Sequence, residues 1–276
     1  MSAPSPARAA LADAKPTAAP TILAAPRHDF PELAQANAVF WRSVIERAGL
    51  PAPSGYAAAL PWSDLTLAQV DAYGFVTQWA SAARLVATPS YRVRGGDGPF
   101  LRSAVLVRDR DPAQGLADLR GRTCAYDLAD AASRNLLRAE TATLARDGGF
   151  FGRMHGETGP LAAVNRVAQG ESDAVLIDGA ALAQVQRLHS AVASRLRLIL
   201  WTARGPGPPL VTSALTATAE VQALRAALAD AAADPLLGAE RSELLIRDIH
   251  PLPESQYRAL LHFEQMAQSQ GYPELR

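Results

Sequence analysis

Leu101-Arg102-Ser103-Ala104-Val105-Leu106-Val107 opens the stretch whose reading decides the fold, and the chain as far as Arg138 completes it. The run is short, apolar and carries β-branched valines, the pattern of a buried strand. Asp111-Pro112 signals a turn, and Leu116-Ala117-Asp118-Leu119-Arg120-Gly121 reads as one helical turn closed by glycine. A second strand, Thr123-Cys124-Ala125-Tyr126, leads into a polar elbow, Asp127-Leu128-Ala129-Asp130-Ala131-Ala132-Ser133. A helix is expected from about Arg134, with Leu136, Leu137 and Leu144 on its apolar face. A strand that passes through an elbow into a helix N-terminus can hold an anion, because unpaired N–H groups and the helix dipole converge there. Such elbows also occur where nothing binds, so the rest of the chain has to decide.

Outward from this stretch the same alternation recurs. Thr21 to Pro26 reads as a strand, followed by a turn at His28-Asp29-Phe30-Pro31 and a helix with Leu33, Ala36, Val39, Phe40 and Val44 on one face, ending at Gly49. Tyr56–Leu60 reads as a strand, Leu65–Val70 as a short helix capped by Asp64, and Arg84–Thr88 as a strand before a glycine-rich loop from Pro89 to Pro99. After the elbow helix come strands at Phe150–His155, Asp173–Ile177, Leu196–Trp201 and Leu210–Thr212, with helices at Pro160–Gln169 and Leu182–Leu188 between them. The C-terminal third reads as helices Val221–Ala232 and Ser255–Gln268 around a strand near Leu244–Ile249. Strands alternating with helices imply α/β architecture with parallel pairing and right-handed crossovers. In such sheets ligands sit beyond the carboxyl ends of strands, which singles out His28, Tyr73, Tyr126 to Asn135, His155 to Glu157, and Asp178.

Composition narrows the function. The 276 residues are 49% apolar and 20% charged, a globular balance. The formal net charge of zero argues against general affinity for nucleic acid or anionic membrane. Cys124 is the only cysteine, which excludes an internal disulfide and a cysteine metal cluster. The five histidines lack metal-ligand spacing, and no nucleophile motif appears, so neither a cofactor, a metal nor catalysis is expected. No apolar run reaches the ~18 residues of a spanning helix. Met1 to Pro20, rich in alanine, proline and serine, lacks the apolar core of an export signal and reads as a disordered tail. The expected location is therefore the periplasm if a leader lies upstream, and the cytoplasm otherwise.

The order of the pieces resembles the phosphate/phosphonate-type (PhnD-like) substrate-binding proteins of ABC importers. The resemblance runs from Ile22 to Tyr257 and rests on Pro26-Arg27-His28-Asp29, on Gln69 with Tyr73, and on Leu85-Val86-Ala87-Thr88-Pro89 with Tyr91. It continues through Gly98-Pro99-Phe100-Leu101-Arg102-Ser103, Leu116 to Arg122, Ala174-Val175-Leu176-Ile177-Asp178, and Gly205-Pro206-Gly207-Pro208-Pro209-Leu210. It implies the type II periplasmic-binding-protein fold: two α/β lobes with mostly parallel sheets, joined by a two-strand hinge, closing on a ligand in the cleft. Residues 21–103 and 202–276 would form lobe one, and 104–201 an inserted lobe two. It further implies a small polar ligand, anionic or zwitterionic, handed to an ABC permease by a monomeric, non-catalytic protein. The alternative is a ligand sensor of the same fold with altered specificity.

The departures bear on the ligand. Where the family elbow carries two serines and a glycine, this chain has Asp130, Ala132 and Ser133, and Glu157 stands where a histidine is usual. Asp130 facing the cleft would repel an anionic oxygen. The ligand-contact candidates are His28, Tyr73, Ser103, Tyr126, Ser133, Asn135, Glu157 and Asp178. All but Asn135 have a structural reading beside them. Asp178 and Ser133 suit helix caps, Glu157 suits a first-turn acid, Tyr73 and Tyr126 suit half-buried packing, Ser103 a backbone hydrogen bond and His28 a plain loop.

Overall fold

The computed structural model describes residues 21–24, 30–51, 53–57 and 62–276. His28 and the N-terminal tail lie outside the described residues. The chain begins with β1 (Thr21–Ala24), α1 (Ala34–Arg47), β2 (Pro53–Ala57) and β3 (Leu65–Gln69). It continues with α2 (Ala72–Gly74), which runs on as a π turn over Phe75–Trp79, and with β4 (Ala83–Tyr91). Two short strands, β5 (Gly96–Asp97) and β6 (Phe100–Leu101), precede β7 (Ser103–Arg108). Next are β8 (Thr123–Asp127), α3 (Ala131–Ala142), β9 (Arg153–Glu157), α4 (Pro160–Ala168) and β10 (Ala174–Asp178). After α5 (Gly179–Leu188) and α6 (Ser190–Ala193), β11 (Leu196–Trp201) leads to β12 (Gly205–Pro206) and β13 (Leu210–Ser213). The chain closes with α7 (Thr218–Ala233), α8 (Gly238–Glu243), β14 (Ile246–His250) and α9 (Glu254–Ser269).

The strands make two principal sheets, one for each lobe of the expected two-lobed α/β fold. Lobe one holds six strands in the order β14-β4-β13-β3-β1-β2, and lobe two holds five in the order β11-β7-β10-β8-β9. The parallel pairs expected from the alternation are β1–β2, β1–β3, β8–β9 and β10–β8. The pairings of β7, β4 and β13 with their other neighbours are antiparallel, where the chain enters or leaves a lobe.

Some boundaries differ from the sequence reading. Leu65–Val70 is no helix. As β3 it is wedged between β1 and β13 in the lobe-one sheet, with Leu65 and Leu67 buried, and that sheet pairing overrides a weak helical pattern. The run from Leu101 to Val107 breaks at Arg102, and α3 starts at Ala131 rather than Arg134 because Asp130 is its N-cap. The turn before β8 closes at Gly121 with φ +75°, as a glycine there permits.

Two adjacent strands carry the chain between lobes. Thr202 N–H donates to Ser103 O at 2.9 Å, and Ser103 N–H donates to Thr202 Oγ1 at 3.0 Å. Trp201 pairs with Ala104 on one side of this contact and Gly205 with Leu101 on the other, so the two crossings form one ribbon. Helix α9 is a third tie. Its Tyr257 hydroxyl lies 2.5 Å from Thr88 Oγ1 of β4, while Ala267 and the following Tyr272 are fully buried in the lobe-two core with Val105, Leu119 and Phe150. Cys124 lies in that same core, where burial pushes its thiol up to about 12 and keeps it protonated and inert.

Candidate ligand-binding cleft

The first turn of α3 sits where the lobes meet, and its two sides are built differently. On the inner side, Asp130 Oδ1 accepts the N–H of Ser133 at 3.0 Å, an ordinary N-cap. The neighbouring N–H, that of Ala132, donates at 3.0 Å to Oδ2 of Asp71, a residue of lobe one. The other oxygen of the same carboxylate, Oδ1, accepts the N–H of Gly74 at 2.6 Å and so caps α2. One side chain thus serves a helix start in each lobe. Both aspartates are 5% exposed.

Ser103 Oγ donates to Ser133 Oγ at 2.6 Å, and both serines are buried. Asp178 ends β10 opposite Ser103, and its Oδ1 accepts the N–H groups of Ala180 and Ala181 at 2.8 and 3.0 Å, capping α5. Together with Leu101, Leu136 and Pro206 to Pro208, these groups enclose about 30 Å³. That holds little more than water. The N–H groups and dipole of α3 are a site for negative charge, and the negative charge beside them here belongs to the protein.

The outer side is roomier. A cavity of about 340 Å³ opens there between Tyr73 of lobe one and Tyr126, Arg134, Arg138 and Met154 of lobe two, with Glu274 among its lining residues. Ala131, the first residue of α3, also borders it, so the helix dipole reaches this space. The Arg134 guanidinium lies 5.0 Å from the centre of the Tyr126 ring, and its Nε makes a long 3.4 Å contact with Asp130 O. No carboxylate pairs with Arg134 among the described residues.

Arg138 is more tightly held. It donates to Pro273 O at 2.6 Å and to Asn135 Oδ1 at 2.5 Å and lies 3.8 Å from Glu264, while its buried Nε has no hydrogen-bond partner among the described residues. Burial, and then the neighbouring Glu264 carboxylate, push the Tyr73 hydroxyl above its ordinary value, so it stays a proton donor at neutral pH.

The structure distributes the expected contact residues over these two sides. Ser103, Ser133 and Asp178 meet at the inner one; Tyr73, Tyr126 and Asn135 line the outer one. Asn135 also holds α9, since its Nδ2 donates to Leu260 O at 2.8 Å. Ser133 lies inside the first turn, not at the cap position. Glu157 ends β9 and is paired with Arg166, and it lines neither space.

Asp71, Arg138 and Glu274 are not among the residues that the sequence singles out, and Arg134 is not among its contact candidates. Asp71 comes just after β3, but its partner Ala132 lies in the other lobe, which no local spacing announces. Among the described residues no group of three His, Cys, Asp or Glu side chains is placed to hold a metal ion.

Two α/β lobes joined by paired crossing strands, with a polar cleft between them, define the class of solute-binding proteins. Residues 67–249 match the periplasmic substrate-binding protein of phosphonate ABC transporters, and the chain belongs to that family. It is therefore a solute-binding protein of the ABC import type, a transporter component in a family of binders, and family membership does not favour the sensor alternative.

Solved structures agree on the fold. The phosphonate-binding protein PhnD1 of Prochlorococcus marinus, in complex with methylphosphonate, is 10% identical with a TM-score of 0.73, the match covering 91% of this chain and 98% of that one. A binding protein of an ABC phosphonate transporter from Pseudomonas aeruginosa is 13% identical with a TM-score of 0.71, over 91% and 87%. A Xanthomonas citri protein bound to ATP is 14% identical with a TM-score of 0.68, over 92% and 98%. No curated protein sequence matches the chain. No helix among the described residues is long and apolar enough to cross a membrane.

Proposed function

We propose that this protein captures a small zwitterion, acidic at one end and positively charged at the other, in the outer cavity of the interlobe cleft and delivers it to an ABC permease. The observation that carries the reading is Arg134, set over Tyr126 beside a 340 Å³ cavity with no carboxylate against it among the described residues. Its guanidinium offers paired donors to a phosphonate or carboxylate, and Glu274 on the cavity wall suits the positive end. The volume lies in the usual range for a small-molecule site. The inner side favours no further anion, because Asp71 and Asp130 already hold its N–H groups.

In this reading lobe one comprises residues 21–103 and 202–276 and lobe two residues 104–201, except that α9 crosses between them and its end, with the residues after it, packs in lobe two. In the same reading the protein works as a monomer, in the periplasm where its family's description places its members.

The test is a thermal-shift screen against aminophosphonates, alkylphosphonates, phosphate, phosphite, sulfonates and small zwitterions, run on the wild type and on Arg134→Ala. A ligand at 100 times its dissociation constant adds about 2.7 kcal/mol, a shift of several degrees. Zwitterions should shift the wild type and shift Arg134→Ala by about half as much or less. A hit of equal strength in both proteins would remove Arg134 from the site, and no hit in either would remove the ligand class.

A further inference from the structure

The contact between Asp71 and Ala132 spans the cleft and joins the ends of two helices, one in each lobe. We infer that Asp71 is a tethered stand-in for a ligand's anionic group: its carboxylate occupies the start of α3 and determines specificity by denying that position to free anions. The inference rests on the reading of the chain as a cleft-closing binding protein.

Two features carry it. The first is geometry: Oδ2 lies 3.0 Å from an N–H of the first turn of α3, where the dipole concentrates positive potential. The second is space. The enclosure that remains among Asp71, Ser103, Asp130, Ser133 and Asp178 is about 30 Å³, too small for a phosphonate unless Asp71 withdraws.

A side chain borne by lobe one and bonded to lobe two also holds the lobes together as a bound ligand would. The same contact that excludes anions therefore closes the cleft from within. A ligand seated on the outer side needs neither to break it nor to replace it.

The experiment separates this inference from the reading beneath it by working in the Arg134→Ala background, where the outer site is disabled. Methylphosphonate binding is measured by calorimetry, and the radius of gyration by small-angle X-ray scattering, for Arg134→Ala alone and with Asp71→Ala or Asp71→Asn added. The expected result is no methylphosphonate binding to Arg134→Ala at millimolar concentration. Adding Asp71→Ala should give binding at least tenfold tighter and a larger radius of gyration without ligand.

Asp71→Asn keeps the shape of the side chain and guards against misfolding of the alanine variant. It should show the same change in smaller degree. Equal affinities and equal radii across the set, in proteins that melt cooperatively, would overturn the inference and leave the outer site untouched. Opening without any gain in binding would overturn the specificity role and leave Asp71 as a closure contact only. Failure of the zwitterion screen on the wild type would count against the proposed function, not against Asp71.

Discussion

On one side of the first turn of α3, the carboxylates of Asp71 and Asp130 hold the N–H groups of Ala132 and Ser133; on the other, the guanidinium of Arg134 lies over Tyr126 with no carboxylate against it among the described residues. The two sides share one helix dipole, so the field of the helix cannot be what separates them. What differs is saturation. The inner groups are nearly fully buried, and every buried donor must find an acceptor when the chain folds, so the chain supplies its own. The outer groups border water in a 340 Å³ cavity, where a cation can keep its donors for a guest. Resemblance to a family of anion binders points to the inner side, whereas the hydrogen bonds point to the outer.

The contrast can be broken at several places. The largest effect is expected at Arg134. Its removal should weaken ligand binding about 10- to 100-fold, the loss of charge-assisted hydrogen bonds worth roughly 1.5–3 kcal/mol, with the unliganded melting point nearly unchanged. Calorimetry on Arg134→Ala reads the first quantity and a melting curve the second. If both fall together, Arg134 supports the fold and the two sides are not separable.

Next is Asn135, which ties the turn to α9 through Leu260 O and to Arg138. Asn135→Ala removes two buried hydrogen bonds and deprives the Arg138 guanidinium of an acceptor, and should cost about 1–3 kcal/mol in urea unfolding. A loss under about 0.5 kcal/mol would place the tie between these helices elsewhere.

Asp130 should matter less. Asp130→Ala removes an N-cap and should cost about 1 kcal/mol, while Asp130→Ser, with a hydroxyl in the same role, should recover most of it. Were the serine no better than alanine, the inner carboxylate would owe its place to something other than capping.

The smallest effect concerns pH. Tyr73, Tyr257 and Tyr272 all have values raised above 10.0, chiefly by burial. A raised folded-state value stabilises the fold fully below the unfolded value, and that contribution is lost as pH rises through the folded one. Stability should therefore hold from pH 7 to about 10 and decline above. An earlier decline, read by melting curves across that interval, would assign the loss to a group other than these tyrosines.

Much of the architecture was legible because it follows from local pattern. The Ala174 to Asp178 run, ended by an acid before a helix, read correctly, and so did the strand at Thr123 to Tyr126. Leu65–Val70 misled because a five-residue apolar segment fits either element, and only its neighbours β1 and β13, distant in sequence, decide between them. The same limit hid Asp71. Its partner Ala132 lies in the other lobe, and no spacing within a chain announces a hydrogen bond formed across a cleft. Ser133 and Asp178 stand out as polar groups at helix and strand ends, but a cap and a ligand contact share one sequence signature, which only hydrogen-bond partners in the fold can separate.

Helix α9 has a mechanical consequence. It starts against Thr88 in lobe one, is held by Asn135 midway, and ends among Ala267 and Tyr272 in the core of lobe two. A ribbon of two strands alone would make a free joint, with the gap growing in proportion to the bend. A rigid rod anchored at both ends beside that joint acts as a stay: it shortens the travel and steers the lobes toward a twist about its own length. A helix remote from the charged groups, seated in both lobes, thus restrains how the cleft can open.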